Sequence, residues 1–141
     1  NKLTNYYTRF KIINNYCKKN SNIICSDVEF NLNPPYNTSD TLIHLNKEYP
    51  KTDFKIILGE DNLNTLHLWS NHELILEHKI CVYPRKSLSK EKSKLISHPN
   101  VNLYNAPIME ISSTLIRKNI LEKISISHLV PKEIEEMLIE K

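Results

Sequence analysis

Apolar residues in this 141-residue chain switch repeatedly between a helical and an extended spacing, and that alternation constrains the fold more than any other feature. Leu3, Tyr6, Tyr7, Phe10, Ile13 and Cys17 recur every three or four positions, which predicts an amphipathic helix over 3–19. Residues 23–30 form a short apolar run with β-branched side chains and read as a strand before the Pro34-Pro35 pair. Helical spacing returns over 38–49 through Leu42, Leu45 and Tyr49, with Thr38 or Ser39 as cap. Residues 54–58 read as a buried strand that ends in a tight turn at Gly59; 71–78 read as a short helix and 79–83 as another strand, closed by Pro84. Beyond a polar loop, 101–104 reads as a strand and 112–124 as a helix with Ile116, Ile120 and Ile124 at four-residue spacing. A last helix opens with Pro131 and Glu133. Helices alternating with short buried strands predict an α/β fold with a parallel sheet, forming one domain over 1–141.

Composition narrows the function classes. At 40% hydrophobic and 25% charged the chain is globular in character. It has no apolar run near the roughly 20 residues that a membrane helix needs. Its first residues show no signal-peptide pattern, so the cytosol is the expected location, and the missing initiator methionine predicts a fragment or processed form. A net charge of +3 is mild. The most basic stretch, residues 85–94, lacks interleaved aromatics and reads as a solvated loop, so neither a nucleic-acid nor a membrane partner is expected. Cys17, Cys25 and Cys81 are odd in number and widely spaced, which predicts buried free thiols. No histidine pair has metal-ligand spacing, so no protein-held metal is expected. The pattern leaves a homo-oligomer open.

One glycine in the whole chain rules out glycine-rich phosphate loops and focuses attention on that residue. Only Arg9, Arg85 and Arg117 are arginines among nineteen basic residues, and an Asn-, Ile- and Lys-rich background suggests that Gly and Arg persist where chemistry demands them. Gly59 lies at the C-terminal end of a strand, where ligands of open α/β sheets bind, and Asp61 two residues on could accept bonds from a ribose diol. A positive-φ turn followed by a solvated acid explains the same residues equally well. Trp69 could fill the core, the commoner fate, or offer a flat face to an aromatic ring. Ser112, Ser113 and Thr114 open a helix, with Arg117 about one turn on. Unpaired N–H groups, hydroxyls and a guanidinium there favour an anion site, a phosphate above all, over a plain cap.

These segments, in this order, resemble the nicotinate mononucleotide adenylyltransferase family. The stretch from Pro35 through Asn37-Thr38 to Thr41-Leu42 is similar to its S-Y-T-x-x-T-L segment. Leu58-Gly59-Glu60-Asp61-Asn62-Leu63 with Trp69 resembles I-G-x-D-x-L followed by tryptophan, and residues 111–117 match I-S-[SA]-T-x-I-R throughout. Tyr83-Pro84-Arg85 and Leu129-Val130-Pro131 also fall where the family has similar residues. The likeness covers nearly the whole chain, corresponding to the C-terminal two-thirds of a family member. It implies a Rossmann-like nucleotidyltransferase fold without its first strand and helix, and transfer of AMP from ATP to nicotinate mononucleotide, with Mg²⁺ bound to the ATP. It further implies that Gly59 and Asp61 meet the adenosine ribose, Trp69 and Thr38 the nicotinate end, and Ser112, Ser113, Thr114 and Arg117 the ATP phosphates. Two positions depart from the family. Asn37 stands where tyrosine is usual, and the catalytic G-x-F-x-P-x-H-x-G-H segment has no counterpart in these residues. The alternatives are an inactive dinucleotide-binding relative and an adenylyltransferase for another acceptor such as phosphopantetheine.

Overall fold

The computed structural model describes residues 5–85, 93–108 and 110–139. It contains two compact units, Val28–Glu110 and a second formed by Asn1–Asp27 with Ile111–Lys141.

The Val28–Glu110 unit holds α2 (Thr38–Glu48), β1 (Lys55–Gly59), α3 (Glu60–Thr65), α4 (His72–Leu76), β2 (Lys79–Tyr83) and β3 (Val101–Leu103), while α1 (Tyr6–Cys17) belongs to the other unit. The three strands pair in the order β1-β2-β3, all parallel, as the alternation predicts. Side chains of successive strand residues point to opposite faces, so register decides what is buried. Ile56 stands opposite Ile80, which stands opposite Val101, and Leu58 opposite Val82. This face packs on Leu42, Leu63, Leu66, Ile75 and Leu76 from the helical segments to make the core. Ile57 and Cys81 share the other face, where Ile57 is 74% exposed, so β1 is buried on one side only.

The other unit contains α1 (Tyr6–Cys17), α5 (Ser113–Leu121) and α6 (Lys132–Ile139). Asn5 caps α1 by accepting a bond from the N–H of Tyr7. α1 packs on α6, where Asn15 Nδ2 approaches Met137 Sδ at 3.4 Å and Lys19 Nζ lies 3.6 Å from Glu133. Ile12, Cys17 and Ile126 are buried. α5 ends with Lys123 at φ 57°, Ile124 donating to Asn119 O and Lys123 to Ile120 O. That is a Schellman ending with lysine in the left-handed position usually held by glycine.

Several expectations need correction. Residues 23–30 do not form a strand: Ile23 N–H donates to Asn20 O in a turn, Ile24 is 89% exposed, and a 3₁₀ turn follows at Val28–Asn31. An apolar run becomes a strand only where a neighbouring strand offers a ladder. The cap of α2 is Asn37, not Thr38 or Ser39; Ser39 lies inside the helix, fully buried. α5 stops at Leu121 because Lys123 reverses the backbone. Of the three cysteines only Cys17 is fully buried, and all three are free thiols.

Candidate functional site

β1 delivers its last residue directly into a helix. Gly59 completes the strand in register with Tyr83 and serves as the N-cap of α3, with φ −76° and ψ 153°. That is ordinary extended backbone, so the positive-φ explanation of this glycine does not hold. Space explains it instead. A Cβ at Gly59 would collide with Asp61 Oδ1 and would stand 3.3 Å from Tyr83 Oη and 3.4 Å from Arg85 Cδ. Asp61 therefore folds back over the strand end in the gap left by the missing side chain. Its Oδ2 accepts from Arg85 Nη1 at 3.4 Å, and its Oδ1 is buried with no hydrogen-bond partner among the described residues. A buried carboxylate oxygen without a donor is the exception in folded proteins.

Thr38 and Trp69 come together although the sequence gives no local reason for it. With Tyr36, Asn37, Leu68 and Ser70 they line a cleft of about 390 Å³. Trp69 is partly buried and packs against the core cluster, and it also lines the cleft. Asn37 turns its side-chain amide to Asp40 Oδ2 at 2.9 Å rather than to the helix N-terminus. Ser70 was not picked out by sequence reasoning; its only signal was adjacency to Trp69.

Ser112 is the N-cap of α5, and its Oγ accepts from Leu115 N–H at 3.1 Å. The cap is thus real, but it uses only an acceptor lone pair and leaves the hydroxyl proton available for an anion. Ser113, Thr114 and Arg117 are exposed, with Arg117 Nη2 3.4 Å from Thr114 Oγ1. Four side chains at the positive end of the helix are therefore presented to solvent or only partly covered.

Sequence reasoning noted Arg85 only as a scarce arginine and as part of the Tyr83-Pro84-Arg85 likeness, and missed its partner. Arg85 belonged to a stretch read as solvated loop, yet it pairs with Asp61; residues 86–92 of that stretch lie outside the described residues. The scarcity of arginine was the signal, since Arg85 and Arg117 are two of three. Among the described residues, no three His, Cys, Asp or Glu side chains are grouped to hold a metal ion, and no helix is long and apolar enough to cross a membrane.

No family model matches the chain. A relative from Cytophaga hutchinsonii, named "probable nicotinate-nucleotide adenylyltransferase", is 41% identical over 140 residues, covering 99% of this chain and 72% of that protein. The chain belongs to the nicotinate-nucleotide adenylyltransferase family. Two further adenylyltransferase relatives carry the same name: one from Flavobacterium psychrophilum at 42% identity, covering 91% of this chain and 67% of its own length, and one from Flavobacterium johnsoniae at 50% over 114 residues. The Flavobacterium johnsoniae match covers 80% of this chain and 59% of that relative, so the chain spans less than two-thirds of it. Among solved structures, the Plasmodium falciparum nicotinic acid mononucleotide adenylyltransferase complexed with APC superposes with a TM-score of 0.73 at 26% identity, covering 98% of this chain and 75% of its own. The α/β architecture with its parallel sheet is thus the nucleotidyltransferase fold of this adenylyltransferase family.

Proposed function

We propose that these residues form the substrate-holding part of a nicotinate-nucleotide adenylyltransferase, acting as one domain. The observation that carries the reading is the shared cleft of Thr38 and Trp69, which gives a pyridine ring an aromatic face and a neighbouring hydroxyl. Gly59 and Asp61 take the adenosine ribose at the end of β1, Asp61 accepting from the diol. Ser112, Ser113, Thr114 and Arg117 take the ATP phosphates, through N–H groups, hydroxyls and a guanidinium. Mg²⁺ enters as part of the MgATP substrate and shields its phosphates.

The reaction is a direct displacement. A phosphate oxygen of nicotinate mononucleotide attacks the α-phosphorus of ATP, a new P–O bond forms, and the bond from the α-phosphorus to the bridging oxygen breaks. Nicotinate adenine dinucleotide and pyrophosphate leave, the latter with Mg²⁺. The residues described here contribute binding, alignment and neutralisation of charge rather than a covalent intermediate. The catalytic G-x-F-x-P-x-H-x-G-H segment that the family carries has no counterpart among these residues. Turnover is therefore proposed for the full-length protein in which an HxGH segment is present.

Trp69 is the only tryptophan in the chain and reports on its own cleft. Titration with nicotinate mononucleotide should quench its fluorescence saturably, and ribose 5-phosphate, which lacks the ring, should not. Equal quenching by both compounds would contradict the assignment of the cleft.

A further inference from the structure

Arg85 and Asp61 are far apart in sequence, and their contact has no obvious structural purpose. The side chains are 34% and 41% exposed, and exposed ion pairs contribute little to stability. Its effect is on orientation. Arg85 Nη1 engages Oδ2, which leaves Oδ1 as the oxygen on the Gly59 side, buried and without a donor among the described residues. The stem of Arg85 and the hydroxyl of Tyr83 stand on that same side, near where a Gly59 Cβ would lie. An ionised carboxylate accepts through both oxygens. One is spent on the guanidinium, and the other retains its capacity for a ligand hydroxyl.

We propose that Arg85 is a positioning residue: it fixes the Asp61 carboxylate so that Oδ1 meets a hydroxyl of the ribose diol. The proposal rests on the reading of Gly59 and Asp61 as the ribose site. Arg85 acts through Asp61 and needs no contact with substrate. Lysine keeps the charge but not the planar fork, so it restores orientation only in part.

The test uses full-length protein and compares ATP with its 2′-deoxy and 3′-deoxy analogues. Wild-type protein should prefer ATP over at least one analogue by about tenfold or more in kcat/KM, the scale of one charged hydrogen bond. Arg85→Gln should lose most of that preference by raising KM for ATP, with kcat and the unfolding midpoint little changed. Arg85→Lys should fall between the two. If Arg85→Gln kept the wild-type preference, the positioning role would be overturned, and equally so if it lowered kcat and midpoint with the preference intact. If wild-type protein turned over yet ignored the missing hydroxyls, or Asp61→Asn kept the preference, the ribose reading would fail first and this proposal with it.

Discussion

Asp61 folds its Oδ1 into the space that a side chain on Gly59 would occupy. The one glycine of the chain is required there by an approaching carboxylate, at a backbone conformation open to any residue. Gly59→Ala should therefore displace Asp61 while leaving the strand paired. Misplacing a binding group by about 1 Å can cost on the order of 100-fold in rate. We expect kcat/KM for ATP to fall on that scale, with the unfolding midpoint moving by only a few degrees. Steady-state kinetics and thermal unfolding of the same preparation check both halves.

Ser112 and Arg117 should separate by what they lose. Ser112→Ala removes the N-cap of α5 and should cost about 1 kcal/mol of stability. Arg117 is exposed and its guanidinium lies 3.4 Å from Thr114 Oγ1, one turn away on the same helix, so Arg117→Ala should leave stability nearly unchanged. Its loss of a charged contact to phosphate should raise KM for ATP by about ten- to a hundredfold. Denaturant unfolding and an ATP titration of each variant distinguish the two effects.

Lys123 holds φ 57° at the end of α5, a conformation that costs a residue with a β-carbon about 1 kcal/mol or more. Lys123→Gly should raise stability by about 1 kcal/mol, because glycine adopts that conformation freely and the two closing hydrogen bonds are made by backbone. A rise in the urea midpoint with an unchanged slope is the expected signature.

Glu133 sits in the first turn of α6, where a bond to its own backbone N–H, followed by the charges of Lys19 and Lys132, holds its carboxyl below the usual range. A folded-state pKa below the unfolded one adds stability above the unfolded pKa, and that gain is lost as pH falls through the folded value. Glu133→Gln should thus be less stable than wild type at neutral pH. The difference should shrink as pH drops below the ordinary glutamate range and through the lower folded-state value. Unfolding curves for the pair from pH 7 to pH 3 check the sign.

Much of the architecture was legible because its signals are local. Ile80 and Val82 alternate with less buried neighbours, and β2 falls at the expected residues 79–83. Ile24 and Ile23 carry equally good strand character and form none, since pairing is a long-range property. Gly59, Asp61 and Trp69 were visible as candidates through rarity and position, and Thr38 through the family resemblance. The reason for Gly59 was not, because it depends on where Asp61 turns after the strand. Arg85 stood out by its scarcity, but its pairing was not legible for a similar reason: its partner lies in α3, across α4 and β2, and pairing of β1 with β2 brings the two together.

The most direct measurement is product formation by the full-length protein from MgATP and nicotinate mononucleotide, followed by chromatography and mass. The account predicts nicotinate adenine dinucleotide and pyrophosphate in equal amounts, with the rate sharply lowered by Asp61→Asn and by Trp69→Ala. A folded full-length protein that carries the HxGH segment and binds ATP, yet yields no dinucleotide from this acceptor, would contradict it.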